Sequence, residues 1–244
     1  MIEDDAAALL DFADEKGISD ERLKLAARLG DPRARVLFPK QKPLSDPADA
    51  DLSTDEKMEL ALRGWVIALC FDRESSARAA LAVSRRALGF FSRLLPNNTR
   101  ASAALKATHA WISCPCDRHV VQAENAEASA ALAILSAREV EIPSGDERVG
   151  WPLSASLAAR SAHETVQTVL DPKPSRHAAS AANWFRVALL TVANEYAADG
   201  WVDRDDDALR PQASKADRRR ILEVLQGLIA GALLPWALGE GSRD

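Results

Sequence analysis

The sequence predicts an all-α protein, a multi-helix bundle or stack of helical hairpins with about nine helices. Three observations carry that expectation. Alanine fills the interior of most segments, and alanine loses no side-chain entropy on entering a helix. Apolar residues recur three and four positions apart in one segment after another. The chain holds a single Tyr and few β-branched runs, which leaves little from which to build strands.

The elements follow in order. Glu3 to Glu15 reads as a short helix. Ser19 caps a second helix with Leu23, Ala26, Ala27 and Leu29 inward, and Gly30 stops it. Asp31-Pro32 restarts a short helix with Val36, Leu37 and Phe38 as its buried end. Residues 1–38 thus form an N-terminal helical hairpin. Three prolines and no apolar periodicity make 39–52 a linker, either packed on the body or free of it.

The main all-α domain spans 53–238, with a tail at 239–244. Ser53 and Glu56 have capping-box spacing, and Met58, Leu62, Trp65, Val66 and Leu69 form the first buried line. Asp72 caps a helix with Ala77, Leu81, Leu88, Phe91 and Leu95 inward. Pro96-Asn97-Asn98 ends it, and Thr99 caps the next helix, which buries Ala103, Ala107, Ala110 and Trp111. A Cys114-Pro115-Cys116 corner follows. Asp117 then caps a helix with Val121, Asn125, Ala128, Leu132 and Leu135 as its buried line. Ser154 opens a helix to Leu170, and Ser175 caps one burying Ala178, Ala182, Phe185, Leu189, Val192 and Tyr196. Ser214 and Asp217 open the last, with Ile221, Leu225, Leu228, Ala232 and Trp236 as its stripe.

Composition narrows the function. The net charge is -5, so no general nucleic-acid surface is expected. Arg218-Arg219-Arg220 reads as a solvated helix face. Three cysteines do not make a secreted disulfide framework. The acidic N-terminus lacks a signal-peptide pattern. The run from Gly227 to Leu238, broken by Pro235, is too short to span a bilayer. A cytoplasmic protein that binds no membrane is the expectation.

Four groups of residues could carry chemistry. Cys114, Cys116 and His119, with His109 one helix earlier, offer thiolate and imidazole ligands. Their Cys-x-Cys-x-x-His spacing is not a usual structural-zinc pattern, so a plain helix corner leads and metal is the runner-up. Asp203, Asp205, Asp206 and Asp207 lack the Gly and Glu of a calcium loop. With Trp201 they are the candidate partner-binding residues, an acidic surface suited to a basic partner. Arg160, His163 and Glu164 share a helix side and read as an intrahelical ion pair beside a surface His. Gly227-x-x-x-Gly231 permits close approach of another helix, in this chain or a second copy. No phosphate loop, nucleophile elbow or zincin motif occurs, so neither an enzyme nor a cofactor is expected.

The runs LALRGWVIALCF, SARAALAVSRRALGFF, ASAALKATHAWISCPCDRHVVQAENAEASAA and ASLAARSAHETVQTV together resemble a bacterial family of small all-α immunity proteins from polymorphic toxin systems. The resemblance covers about 53–198 in texture and order, and it transfers no functional residues. It implies a binding protein that neutralises a cognate toxin by occlusion. The leading expectation is therefore a cytoplasmic protein-binding module whose partner could be a basic toxin. The alternatives are a helical metal-dependent enzyme using the Cys/His corner and a homo-oligomeric structural protein.

Overall fold

Ten α-helices and one 3-10 turn make up residues 2–142, 150–197 and 213–240, which the computed structural model describes. In chain order they are α1 (Ile2–Lys16), α2 (Asp20–Arg28), α3 (Pro32–Leu37), α4 (Asp55–Leu69), α5 (Arg73–Leu94), α6 (Arg100–Ser113), α7 (Asp117–Arg138), α8 (Trp151–Leu170), α9 (Pro174–Ala197) and α10 (Lys215–Ala237). No strand occurs among the described residues, so the chain is all-α.

Helix α8 is the axis of the body, packed by α5, α6, α7 and α9. It tolerates so many neighbours because most of its buried residues are small: Ala155, Ala158, Ala159, Ala162, Ser161, Thr165 and Thr168. Small side chains let helix axes approach closely, and ridges of one helix then seat in grooves of the next. Most of the hydroxyls buried by that approach are paired, Ser154 Oγ near the start of α8 being the exception. Ser84 on α5 bonds Ser161 at 2.6 Å and Thr165 at 2.7 Å, and Ser161 donates to the Ala181 carbonyl of α9 at 2.9 Å. Three helices are thereby locked in register by groups that would be costly to leave unpaired.

The predicted caps and stops hold at several ends. Gly30 has φ +102° and ends α2, and the Asp31 carboxylate accepts from the Arg33 and Ala34 amides to start α3. Asp72 with Ser75, and Ser214 with Asp217, are complete capping boxes. The line Met58, Leu62, Trp65, Val66, Leu69 is buried throughout.

Other ends differ. Thr54, not Ser53, caps α4, by accepting from the Lys57 amide. Ser19 and Thr99 stand at the cap positions of α2 and α6 without a side-chain cap bond. Cys116 replaces Asp117 as the residue before α7. Helix α8 opens at Trp151 and α9 at Pro174, ahead of Ser154 and Ser175, because proline is well suited to a helix's first turn. In α3 the buried residue is Ala34, and Val36 faces solvent, since the six-residue helix turns its small side inward. The side chains of Val192 and Tyr196 lie outside the described residues, as does the loop from Asp199 to Pro211 that holds Trp201, Asp203, Asp205, Asp206 and Asp207.

One apolar cluster runs from Leu9 to Leu238 and takes in the N-terminal helices and the body alike. The segment between them is fastened to both. Leu44 donates its amide to the Arg28 carbonyl at 3.3 Å, and Ala48 and Leu52 are buried. Arg218 was expected on a solvated face and is instead 4% exposed. Its guanidinium bonds the Asp55 carboxylate at 2.7 Å and the carbonyls of Leu52 and Ser53 at 3.1 and 3.0 Å. The reason is position: Arg218 falls one turn ahead of Leu222 on the inward face of α10, while Arg219 turns outward to Glu223. Arg218→Ala leaves two carbonyls without their donor and is expected to cost about 2–3 kcal/mol. A urea midpoint that falls at constant slope checks it.

Helix α10 is long and apolar enough to cross a membrane by length and composition. Here it gives Ile221, Leu222, Leu225, Ile229, Leu233 and Trp236 to the core. Gly227 and Gly231 are on its exposed side, and a Cβ at either would meet nothing within 4 Å.

Candidate functional site

The α6–α7 corner brings three of the four candidate ligands together. Pro115 disfavours the helical region for the residue before it, so Cys114 adopts φ -151°, ψ 94° and α6 ends. The Cys116 amide then donates to the Cys114 carbonyl at 2.8 Å, and the His119 amide to the Cys116 carbonyl at 2.9 Å. His119 occupies the third position of α7, where a capping-box side chain reaches back. Its Nδ1 lies 2.7 Å from the Cys114 carbonyl oxygen. The outcome is a cluster in which Cys114 Sγ is 3.3 Å from Cys116 Sγ, and Cys116 Sγ is 3.5 Å from His119 Nδ1. Cys114 is exposed and both thiols are free.

The two thiols are unequal. Amide donation from His119, with the Cys114 thiol next to it, holds Cys116 below the ordinary thiol range. The same contact with Cys116 pushes Cys114 up. The third cysteine, Cys70, is buried and pushed up to about 12 by that burial. It is an inert core group. His109 stands earlier on α6, and the group of mutually close donors does not include it.

The trio Arg160, His163 and Glu164 does not form the intrahelical pair expected. Each reaches off its own helix, two of them to α9 and one to α7. Arg160 lies over the Trp184 ring of α9 at 4.8 Å, His163 Nε2 meets Glu127 of α7 at 3.0 Å, and Glu164 meets His177 Nδ1 of α9 at 2.7 Å. Close packing of α8 against α7 and α9 brings those partners within reach.

His177 also faces Asp171, at 3.5 Å. The Glu164 hydrogen bond, outweighing partial burial, raises its pKa. The stabilisation this gives is therefore complete below the unfolded value of about 6.5 and is lost as pH rises through the higher folded value. Stability is expected to fall over that window in the native chain, and His177→Asn to flatten the fall. Urea denaturation across pH 6 to 8, with an NMR titration of His177, reads both.

The larger surprise is on α7. The line expected to be buried faces solvent: Val121 is 53%, Leu132 48% and Leu135 52% exposed, and Asn125 and Ala128 between them are exposed too. The core is met instead by Ala123, Ala126, Ala130, Ala133 and Ala137. At about 100° per residue the two lines are on opposite sides of the helix. Burial against α6 and α8 selects the alanines because only they permit the close axis spacing those helices impose. Val121, Asn125, Ala128, Leu132 and Leu135 are left in a continuous outward stripe with steps of four, three, four and three residues. That is the spacing of a coiled-coil seam.

Sequence reasoning found these residues and assigned them to the wrong side. The signal that could have placed them is the heptad step itself, which differs from the wider apolar face of a core helix. No family model, curated protein or solved structure matches this chain.

Proposed function

We propose that this chain is a protein-binding module and that the outward face of α7 is where its partner docks. The single observation behind the reading is the stripe Val121, Asn125, Ala128, Leu132, Leu135, exposed along a helix whose opposite side is already committed to the core. Scattered exposed apolar residues need no explanation, and Leu60 on α4 is one such. Five positions in heptad register on one rigid helix are a different matter. They match what an amphipathic helix of a partner reads, with side chains of each helix entering holes on the other.

The rim supports a protein occupant. Asp117, Arg118, Gln122 and Glu124 flank the N-terminal part of the stripe and Arg138 the C-terminal end, which gives an apolar centre with a polar border. Asn125 sits inside the seam, where an amide fixes register at some cost in affinity. The partner we propose is a helix with its own apolar seam, basic where it passes Asp117 and Glu124.

The resemblance to immunity proteins of toxin systems gives the partner a class: a toxin held inactive by occlusion. Co-expression tests this. Cells carrying the cognate toxin are expected to grow when the native chain is present, and to lose that protection with Leu132→Glu/Leu135→Glu. Protection that survives the double substitution overturns the placement of the face. A native chain that protects against no toxin encoded beside it overturns the toxin class.

A further inference from the structure

We propose that Cys114, Cys116 and His119 form a binding site for one thiophilic divalent cation, Zn2+, at the α6–α7 corner. The one Sγ and one Nδ1 whose separation is fixed by the first turn of α7 lie 3.5 Å apart, and all three donor atoms fall within 4.8 Å of one another. With Zn–S near 2.3 Å and Zn–N near 2.0–2.1 Å, a tetrahedral ion requires edges of about 3.5 Å from sulfur to nitrogen and about 3.8 Å between sulfurs. The first edge is already present. The second, now 3.3 Å, opens by about half an ångström, and the third, from Cys114 Sγ to Nδ1, lies within 4.8 Å and must come to about 3.5 Å; rotation of the exposed Cys114 side chain adjusts both.

The backbone is set before any ion arrives. Bonds from the Cys116 amide to the Cys114 carbonyl, and from the His119 and Val120 amides to the Cys116 carbonyl, fix the corner. Of the ordering that a metal site must otherwise impose on a loop, most is already done by the fold. As the two metal–sulfur bonds form, each thiol gives its proton to water. Before the ion binds, Nδ1–H donates to the Cys114 carbonyl, 2.7 Å away; binding breaks that bond, Nδ1 gives its proton to water while Nε2 takes one from water, and the Nδ1 lone pair turns to the ion. Three protein ligands leave the fourth position open on the solvent side, beside exposed Cys114 and Pro115, and water completes the shell. The set differs from closed four-ligand structural sites in that open position. The site adjoins the partner face, since Asp117 and Arg118 of that face's rim lie between its ligands, but the two share no residue and are tested separately.

Full-length chain, purified with a non-chelating reductant, is dialysed against Zn2+ and counted by elemental mass spectrometry. Co2+ in its place is followed by absorbance. One ion per chain is expected, with a thiolate-to-cobalt charge-transfer band. Cys114→Ser, Cys116→Ser and His119→Ala are each expected to weaken binding at least about tenfold, while Cys70→Ser, which removes the buried thiol, leaves stoichiometry and spectrum unchanged. Far-UV circular dichroism confirms that each variant is folded. Binding well below one ion per folded chain, or equal binding by Cys116→Ser and the native chain, overturns the site.

Discussion

Trp236→Ala is expected to lower the stability of the chain by about 3–5 kcal/mol. Trp236 is 6% exposed at the end of α10, and it is where three parts of the chain meet. Its ring stacks on Phe71, which follows α4, with centroids 6.0 Å apart. The Arg22 guanidinium of α2 lies 4.6 Å from the ring centroid and that of Arg78 on α5 lies 5.6 Å away. Arg22 also donates to the Trp236 carbonyl.

Truncation removes the largest side chain in that region and leaves a cavity. It also deprives a partly buried guanidinium of its aromatic face, a contact that stabilises by about 1 kcal/mol or more when desolvated. Trp236→Phe keeps an aromatic face under both cations and is expected to cost about 1–2 kcal/mol. Urea unfolding of the three chains reads the order directly. A cost below about 1 kcal/mol for Trp236→Ala contradicts the view that this ring ties the N-terminal helices to the body.

Most of the fold was legible from local chemistry. Asp31-Pro32, Asp72 and Ser214 announce helix starts because a short polar side chain at that position satisfies free amides. Gly30 announces a stop because its φ is positive. The line on α4 was legible because large apolar residues there face a core that needs volume. The same reasoning failed on α7. Alanine contributes little to an apolar pattern, so Val121, Leu132 and Leu135 dominated the reading. Yet the neighbours of α7 are themselves lined with alanine, serine and threonine, and such surfaces seat small residues. Which face of an apolar helix is buried depends on what it packs against, and that is long-range information.

Arg218 failed for a related reason. Three consecutive arginines read as solvent-facing by composition. The backbone carbonyls of Leu52 and Ser53, which give the middle of the molecule a need for a donor, are more than 160 residues away in sequence. The Cys-x-Cys-x-x-His cluster was visible as residue types. Its convergence was not, because it depends on Pro115 ending α6 at Cys114 and on His119 falling on the first turn of α7.

Leu132→Glu/Leu135→Glu is the substitution with the largest expected functional effect. Both residues are about half exposed, so polar replacements in the free chain cost little, within about 0.5 kcal/mol. In a complex the same carboxylates stand at the centre of an apolar seam without partners. Buried unpaired charge at an interface centre is expected to weaken binding at least about 100-fold. Asn125→Leu is expected to act the other way, tightening association while loosening register, since it trades the seam's one amide for apolar surface. Equilibrium unfolding and binding isotherms on the same preparations separate loss of contact from loss of fold.

Affinity capture from the source cells, run side by side with the native chain and with Leu132→Glu/Leu135→Glu and quantified by mass spectrometry, is the most direct measurement. A single protein recovered in stoichiometric amount with the native chain and absent with the variant is the result expected. Recovery of that protein in equal amount by both chains contradicts docking on α7, and recovery of none by the native chain contradicts the binding function itself.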